Sequence, residues 1–125
     1  PGRPEGSQSR TDGGHQGRDQ LGQTEAAAEA YRESARLVPP TDPALAYNLA
    51  EILMAGNDSA GALEYYLLAH KLNDKEPKYL EKMGYAYLNL GEIPKSIEAF
   101  EAFLRMAPKA PQAEEIRSMV QGLKQ

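Results

Sequence analysis

Apolar residues recur every three to four positions along most of this chain, the spacing of a helix with one buried face, and the recurrence breaks at a few prolines, glycines and Asn-Asp pairs. "TEAAAEAYRESARLV" is rich in helix formers, with Thr24 as candidate N-cap and Pro39-Pro40 as the stop. "PALAYNLAEILMAG" follows, with Asp42 as cap and Pro43 in the permitted first turn. "SAGALEYYLLAHKLN" starts after Asn57-Asp58, with Asp58 or Ser59 as its cap. Then come "PKYLEKMGYAYLNLG", "IPKSIEAFEAFLRMA" and "PQAEEIRSMVQGLKQ". The pattern predicts six helices, and no stretch alternates as a strand would.

The fourth and fifth segments are separated by very little chain. Gly91 sits where a C-terminal glycine ends a helix, and Pro94 falls in the first turn of the next. So short a gap allows only an antiparallel helical hairpin.

The same unit recurs. Pro43, Pro77 and Pro111 are spaced by 34 and again by 34. A shift of 34 pairs Leu45 with Tyr79, Leu49 with Met83, Ala50 with Gly84 and Leu53 with Tyr87. It goes on to pair Ala62 with Ser96, Leu63 with Ile97 and Tyr66 with Phe100. Apolar positions stay apolar and small ones stay small. A period of this length is the mark of stacked structural repeats.

The pattern of small and large residues resembles the tetratricopeptide repeat (TPR). Met83-Gly84, Tyr87, Gly91, Ser96, Phe100, Phe103-Leu104 and Pro108 carry the resemblance most closely, although Ser96 and Phe103 stand where alanine is usual. Leu49-Ala50, Leu53, Ala62, Tyr66, Ala69 and Asp74 form a divergent copy whose glycine, Gly56, falls one residue early. Ala27, Tyr31, Ser34 and Pro39 trace half a repeat at a spacing of 35. The resemblance implies an all-α, right-handed α-solenoid of about two and a half TPR helix-turn-helix repeats, with a C-terminal capping helix. In that cap Ala113, Ile116, Met119, Val120 and Leu123 form the inner side, while Arg117, Ser118 and Gln121 give a solvated outer one. Helix 24–38 is left with a stripe of Ala27, Tyr31, Ala35 and Val38 and no preceding partner.

Residues 1–22 differ from the rest. They hold six of the eleven glycines and one large apolar residue, Leu21. Such a segment buries too little surface to offset its ordering entropy. It is expected to be a flexible tail or linker, with the repeat domain spanning 23–125.

Composition narrows the function. A net charge of −4 argues against nucleic-acid partners. Without cysteine there is no thiolate metal site, disulfide or Cys nucleophile. No apolar run approaches a membrane span, so direct membrane insertion is not expected; cytoplasm and periplasm are both compatible. No HExxH, phosphate loop or GxSxG occurs, and the chain is not expected to be an enzyme or to hold a cofactor or metal.

The resemblance also implies a concave groove lined by the first helix of each pair. The matching positions are Tyr47, Asn48, Glu51 and Met54, then Lys78, Glu81, Lys82, Tyr85 and Leu88. Lys78 and Lys82 share a helix face, and Asn48 lies 34 before Lys82, so all three are expected in one groove. This looks like part of the carboxylate clamp of some TPR domains, whose remaining Lys and Asn would fall in the glycine-rich tail. The expected partner is a peptide or helix bound at Tyr47, Asn48, Glu51, Lys78, Lys82 and Tyr85. The alternatives are a homo-oligomer formed through helix 24–38, and a repeat fragment of a larger assembly factor. Tyr87, Phe100 and Phe103 are expected to pack; Tyr65 could either join repeats or face solvent.

Overall fold

The computed structural model describes the backbone from Gly13 and the side chains from residue 22 onward. Six helices follow in order: α1 (Gly13–Leu37), α2 (Pro43–Ala55), α3 (Ser59–Leu72), α4 (Pro77–Asn89), α5 (Ile93–Met106) and α6 (Ala113–Leu123). No strand occurs among the described residues. α2 pairs with α3 and α4 with α5 as tight hairpins, and α1, the two hairpins and α6 stack in chain order.

The hairpin turns are copies of one another. At the first, Asn57 N–H donates to the Met54 carbonyl (3.0 Å) and Asp58 N–H to that of Leu53 (2.8 Å). At the second, Gly91 N–H donates to Leu88 (3.0 Å) and Glu92 N–H to Tyr87 (2.9 Å). This is the Schellman closure, which needs a left-handed residue just past the helix. Gly91 supplies it with φ of 77°, and Asn57 does so with 66°. Gly56, read from the sequence as the early turn glycine, therefore has another task. It lies under α1, where a Cβ would come 2.6 Å from the Ala28 Cβ.

Two helix starts are capped as the sequence suggests, and a third is capped by Glu76. Asp42 accepts from Ala44 N–H (2.9 Å) ahead of Pro43, and Asp58 accepts from Gly61 N–H (2.8 Å). Glu76 does the same for Lys78 N–H (3.3 Å) ahead of Pro77. Each such bond satisfies a helix-end donor and is worth about 1 kcal/mol.

Within each hairpin a small residue faces a ring. A Cβ on Gly84 would lie 2.5 Å from the Phe100 ring, so glycine is what lets α5 approach α4. The Ser96 hydroxyl, fully buried, donates to the Gly84 carbonyl at 2.8 Å. Tyr66 holds the Phe100 position of the first hairpin, and both rings are fully buried. Phe103 is buried, and half-buried Tyr87 packs against the same core, both as expected, with Lys95 Nζ 6.0 Å from the Tyr87 ring centre.

α1 departs from expectation in two ways. It does not start at Thr24: the helix is continuous from Gly13, so residues 13–22 are not outside it, while residues 1–12 of the expected tail lie outside the described residues. A helix already nucleated by the Ala-rich stretch gains one backbone hydrogen bond for each residue it adds backwards, and no proline interrupts it. The register is also different. Ala28 and Ala35 are buried, whereas Ala27, Tyr31 and Val38 are exposed. Ala28 and Ala35 stand one full repeat before Ala62 and Ala69, which are fully buried. The half repeat thus keeps the spacing of the others, one position short of the spacing read from Ala27 and Tyr31. Its ring position is held by Arg32, which pairs with the α3 cap Asp58 at 2.8 Å. That charged substitute is what hid the register.

Tyr65 is buried and lies along Ala35, Arg36 and Pro39, so it joins α3 to α1. α6 begins at Ala113, just after Pro111 and Gln112. Its inner side is as expected: Ala113, Ile116 and Val120 are buried and Met119 and Leu123 partly so, while Ser118 and Gln121 face outward. Arg117 folds onto Glu114 (2.7 Å) and the Pro108 carbonyl (2.8 Å).

Candidate functional site

α2 and α4 are the first helices of successive hairpins, and their facing sides enclose a groove. Tyr47, Glu51 and Met54 recur at helical spacing on α2, as do Lys78, Lys82, Tyr85 and Asn89 on α4. Glu51, Met54, Ala55, Lys82, Tyr85 and Asn89 line a cavity of about 410 Å³, and Tyr66 of α3 contributes to it.

The polar contacts converge on Glu51. The Tyr66 hydroxyl donates to its carboxylate. Lys82 Nζ approaches the same oxygen at 3.8 Å, with both side chains roughly one-third exposed. Lys78 Nζ sits 4.7 Å above the Tyr47 ring. That ring lies 5.9 Å from Tyr66 and 5.5 Å from Tyr79, an aromatic row joining the two hairpins. Tyr85 meets Phe100 edge-on at 5.0 Å. Glu81 accepts from Gln112 Nε2 at 3.0 Å, which ties α4 to the start of the cap.

The tyrosine hydroxyls keep their protons tightly. Burial pushes Tyr66 well above the ordinary value, and its bond to the Glu51 carboxylate adds to that. Tyr47 is raised by burial and then by Glu51, Glu81, Tyr79 and Glu76. Tyr85 is raised by burial and then by Glu81 and Glu115. The groove therefore presents neutral phenols, an amide and a partly exposed carboxylate with a lysine beside it. These groups suit non-covalent recognition. Among the described residues no group of three or more His, Cys, Asp or Glu side chains is placed to hold a metal ion, and no helix there is long and apolar enough to cross a membrane.

Of the six residues singled out from the sequence, Glu51, Lys82 and Tyr85 line this cavity, while Tyr47 and Lys78 stand about one turn away on α2 and α4, joined by their cation–ring contact. Asn48 does not line this cavity. It lines a separate groove between α1 and α2 with Tyr31, Val38, Leu45 and Ile52. The register explains the difference. Lys82 leans back onto the first helix of the preceding hairpin, where Glu51 is. Asn48, its counterpart one repeat earlier, leans back likewise, towards the side where α1 stands alone. Tyr66, Ala55 and Asn89 belong to the groove and were not foreseen. One signal existed for Tyr66: the matching residue of the next repeat is Phe100, so the hydroxyl has no packing purpose.

By family comparison, the tetratricopeptide repeat model matches residues 17–77 and 81–120. Among solved structures, the first TPR of Spaghetti (RPAP3) bound to the HSP90 peptide SRMEEVD is 24% identical, with a TM-score of 0.65 over 85% of this chain and 84% of that one. The first TPR domain of the human RPAP3 protein is also 24% identical, with a TM-score of 0.63 over 84% and 83%. No curated protein matches by sequence.

Proposed function

This chain belongs to the tetratricopeptide repeat family, and from that premise we propose that it is a non-catalytic interaction module holding a segment of a partner protein between α2 and α4. The observation that carries the reading is the cavity itself: half-exposed Tyr85, Met54 and Glu51 share it with Lys82, the Tyr66 phenol and the Asn89 amide. Aromatic side chains with a polar tip supply contact area at little conformational cost. A structural neighbour bound to an HSP90 peptide supports peptide capture in this fold.

The test is affinity capture from source lysate with the intact chain and with a Tyr85→Ala, Lys78→Ala variant. Both side chains lie outside the fully buried core, so the helical circular dichroism should be unchanged. Partners retained by the intact chain and lost by the variant support the groove. An unchanged set of partners contradicts it.

A second reading rests on a different surface. Tyr31 is 53% exposed, Val38 77% and Leu45 58%, and together with Ile52 they border the apolar α1–α2 groove. Tyr65 and Tyr79, the counterparts of Tyr31 and Leu45 one repeat later, are both buried. A second copy docking there would make the chain a self-associating scaffold. Sedimentation at several concentrations tests this: mass should rise with concentration and Leu45→Glu should abolish the rise. A strict monomer would exclude it.

A further inference from the structure

The cavity is lined by one lysine, Lys82, already set against Glu51 at 3.8 Å; Lys78, beyond it on α4, is engaged on the Tyr47 ring at 4.7 Å. Four carboxylates act on the half-buried tyrosines of α2 and α4: Glu51, Glu76 and Glu81 on Tyr47, Glu81 and Glu115 on Tyr85. An incoming carboxylate would have to take Lys82 from Glu51 and then lie beside that like charge, which is unfavourable. An incoming cation also has a like charge near it, the Lys82 ammonium, but need not displace it, because a carboxylate oxygen is open to it. The Tyr66 and Lys82 contacts both fall on Glu51 Oε2, so Oε1 is left to accept from a ligand. The groove already uses one ring, Tyr47, to hold an ammonium group. Tyr85 carries no such cation among the described residues, and it lines the same cavity as Glu51.

We propose that the α2–α4 groove selects a partner segment by an internal arginine or lysine, its charge on Glu51 and its stem or guanidinium plane on Tyr85. The inference rests on the groove reading above and specifies its ligand. It differs from the carboxylate clamp that Lys78, Lys82 and Asn48 suggest in the sequence, since one of those residues is elsewhere and one is paired with Glu51. Arginine fits best, because its planar fork can reach a carboxylate oxygen while stacking on a ring. Lys82 then competes with the ligand for Glu51.

Amide-resolved NMR titration of the intact chain tests this with two tripeptides. One is acetyl-Ala-Arg-Ala-amide, whose only charge is the guanidinium; the other is acetyl-Ala-Ala-Ala with a free C-terminal carboxylate. The arginine peptide should shift the amides of Glu51, Met54, Tyr85 and Asn89 saturably, and the carboxylate peptide should not. Glu51→Gln, which keeps an acceptor for Tyr66, should weaken the arginine peptide by about five-fold, the loss of one partly exposed charge pair. Lys82→Gln should strengthen it. If the carboxylate peptide shifts the same amides and Lys82→Gln weakens it, this inference is overturned while the groove reading stands. If arginine binding is unchanged by Glu51→Gln, the inference also fails. Silence of the groove amides towards both peptides overturns it too, and the capture experiment with Tyr85→Ala, Lys78→Ala then decides the groove reading separately.

Discussion

Asn57 and Gly91, at matching positions of successive hairpins, hold the same left-handed backbone conformation and donate the same hydrogen bonds to the helices they end. An L side chain in that region costs about 1–2 kcal/mol unless it is Asn or Asp, whose short polar group tolerates it. Gly91→Ala should therefore destabilise the chain by about 1 kcal/mol in urea unfolding. Asn57→Ala should cost about as much, because it also loses the 3.2 Å bond from Asn57 Nδ2 to Glu25. Asn57→Gly should stay within a few tenths. If Asn57→Ala unfolds at the same urea concentration as the parent, the equivalence of the two turns has no energetic content.

Gly84 and Ser96 test the packing inside the second hairpin. Gly84→Ala sets a methyl group against the Phe100 ring and should cost about 1–3 kcal/mol by overpacking. Ser96→Ala leaves the Gly84 carbonyl without its hydroxyl donor and should cost about 1 kcal/mol, even though alanine is the smaller and more helical residue. A Ser96→Ala variant more stable than the parent would mean the buried bond contributes nothing.

The phenols predict an alkaline limit. A tyrosine is neutral when protonated, and Tyr66, Tyr47, Tyr85, Tyr65 and Tyr79 are all raised from the ordinary 10.0 in the fold. The folded chain thus holds these protons more tightly than the unfolded one. Their contribution to stability is complete below about pH 10 and is lost as the pH rises above it. Urea midpoints should be level from pH 7 to 9 and fall between pH 10 and 12. Tyr66→Phe removes the largest contributor and should make that fall shallower. An equally steep fall in the variant would show that Tyr66 is not the titrating group.

Much of the fold was legible because the repeat is written in local chemistry. Prolines at first turns, Asp42 and Asp58 as caps and Gly91 at a turn each act within a few residues of themselves. The α1 register was not legible, because Arg32 stands where Tyr66 and Phe100 stand in the other repeats and makes its bond to a residue 26 positions away. Gly56 misled for a related reason: its smallness serves α1 across the hairpin, not the turn beside it. In the site, same-face spacing aligns Tyr47 with Glu51 on α2 and Lys78 with Lys82 and Tyr85 on α4, and the cavity joins Glu51, Lys82 and Tyr85 of these. Asn48 lines the α1–α2 groove, because a shared register fixes direction within a repeat, not which neighbour is present to complete the groove. The pairing of Lys82 with Glu51 and the Tyr66 hydroxyl depends on side chains from three helices, which no single helical pattern encodes.

We propose that the partner is held between α2 and α4. Site-specific photocrosslinking tests it most directly, with p-benzoylphenylalanine placed in turn at exposed Asn89 in the groove, at exposed Leu45 on the α1–α2 face and at exposed Gln121 on the cap. Irradiation in source lysate should give discrete heterologous adducts from position 89 and none above background from position 121. Adducts from position 45 alone, with position 89 silent, would contradict the groove and move the binding surface to α1–α2.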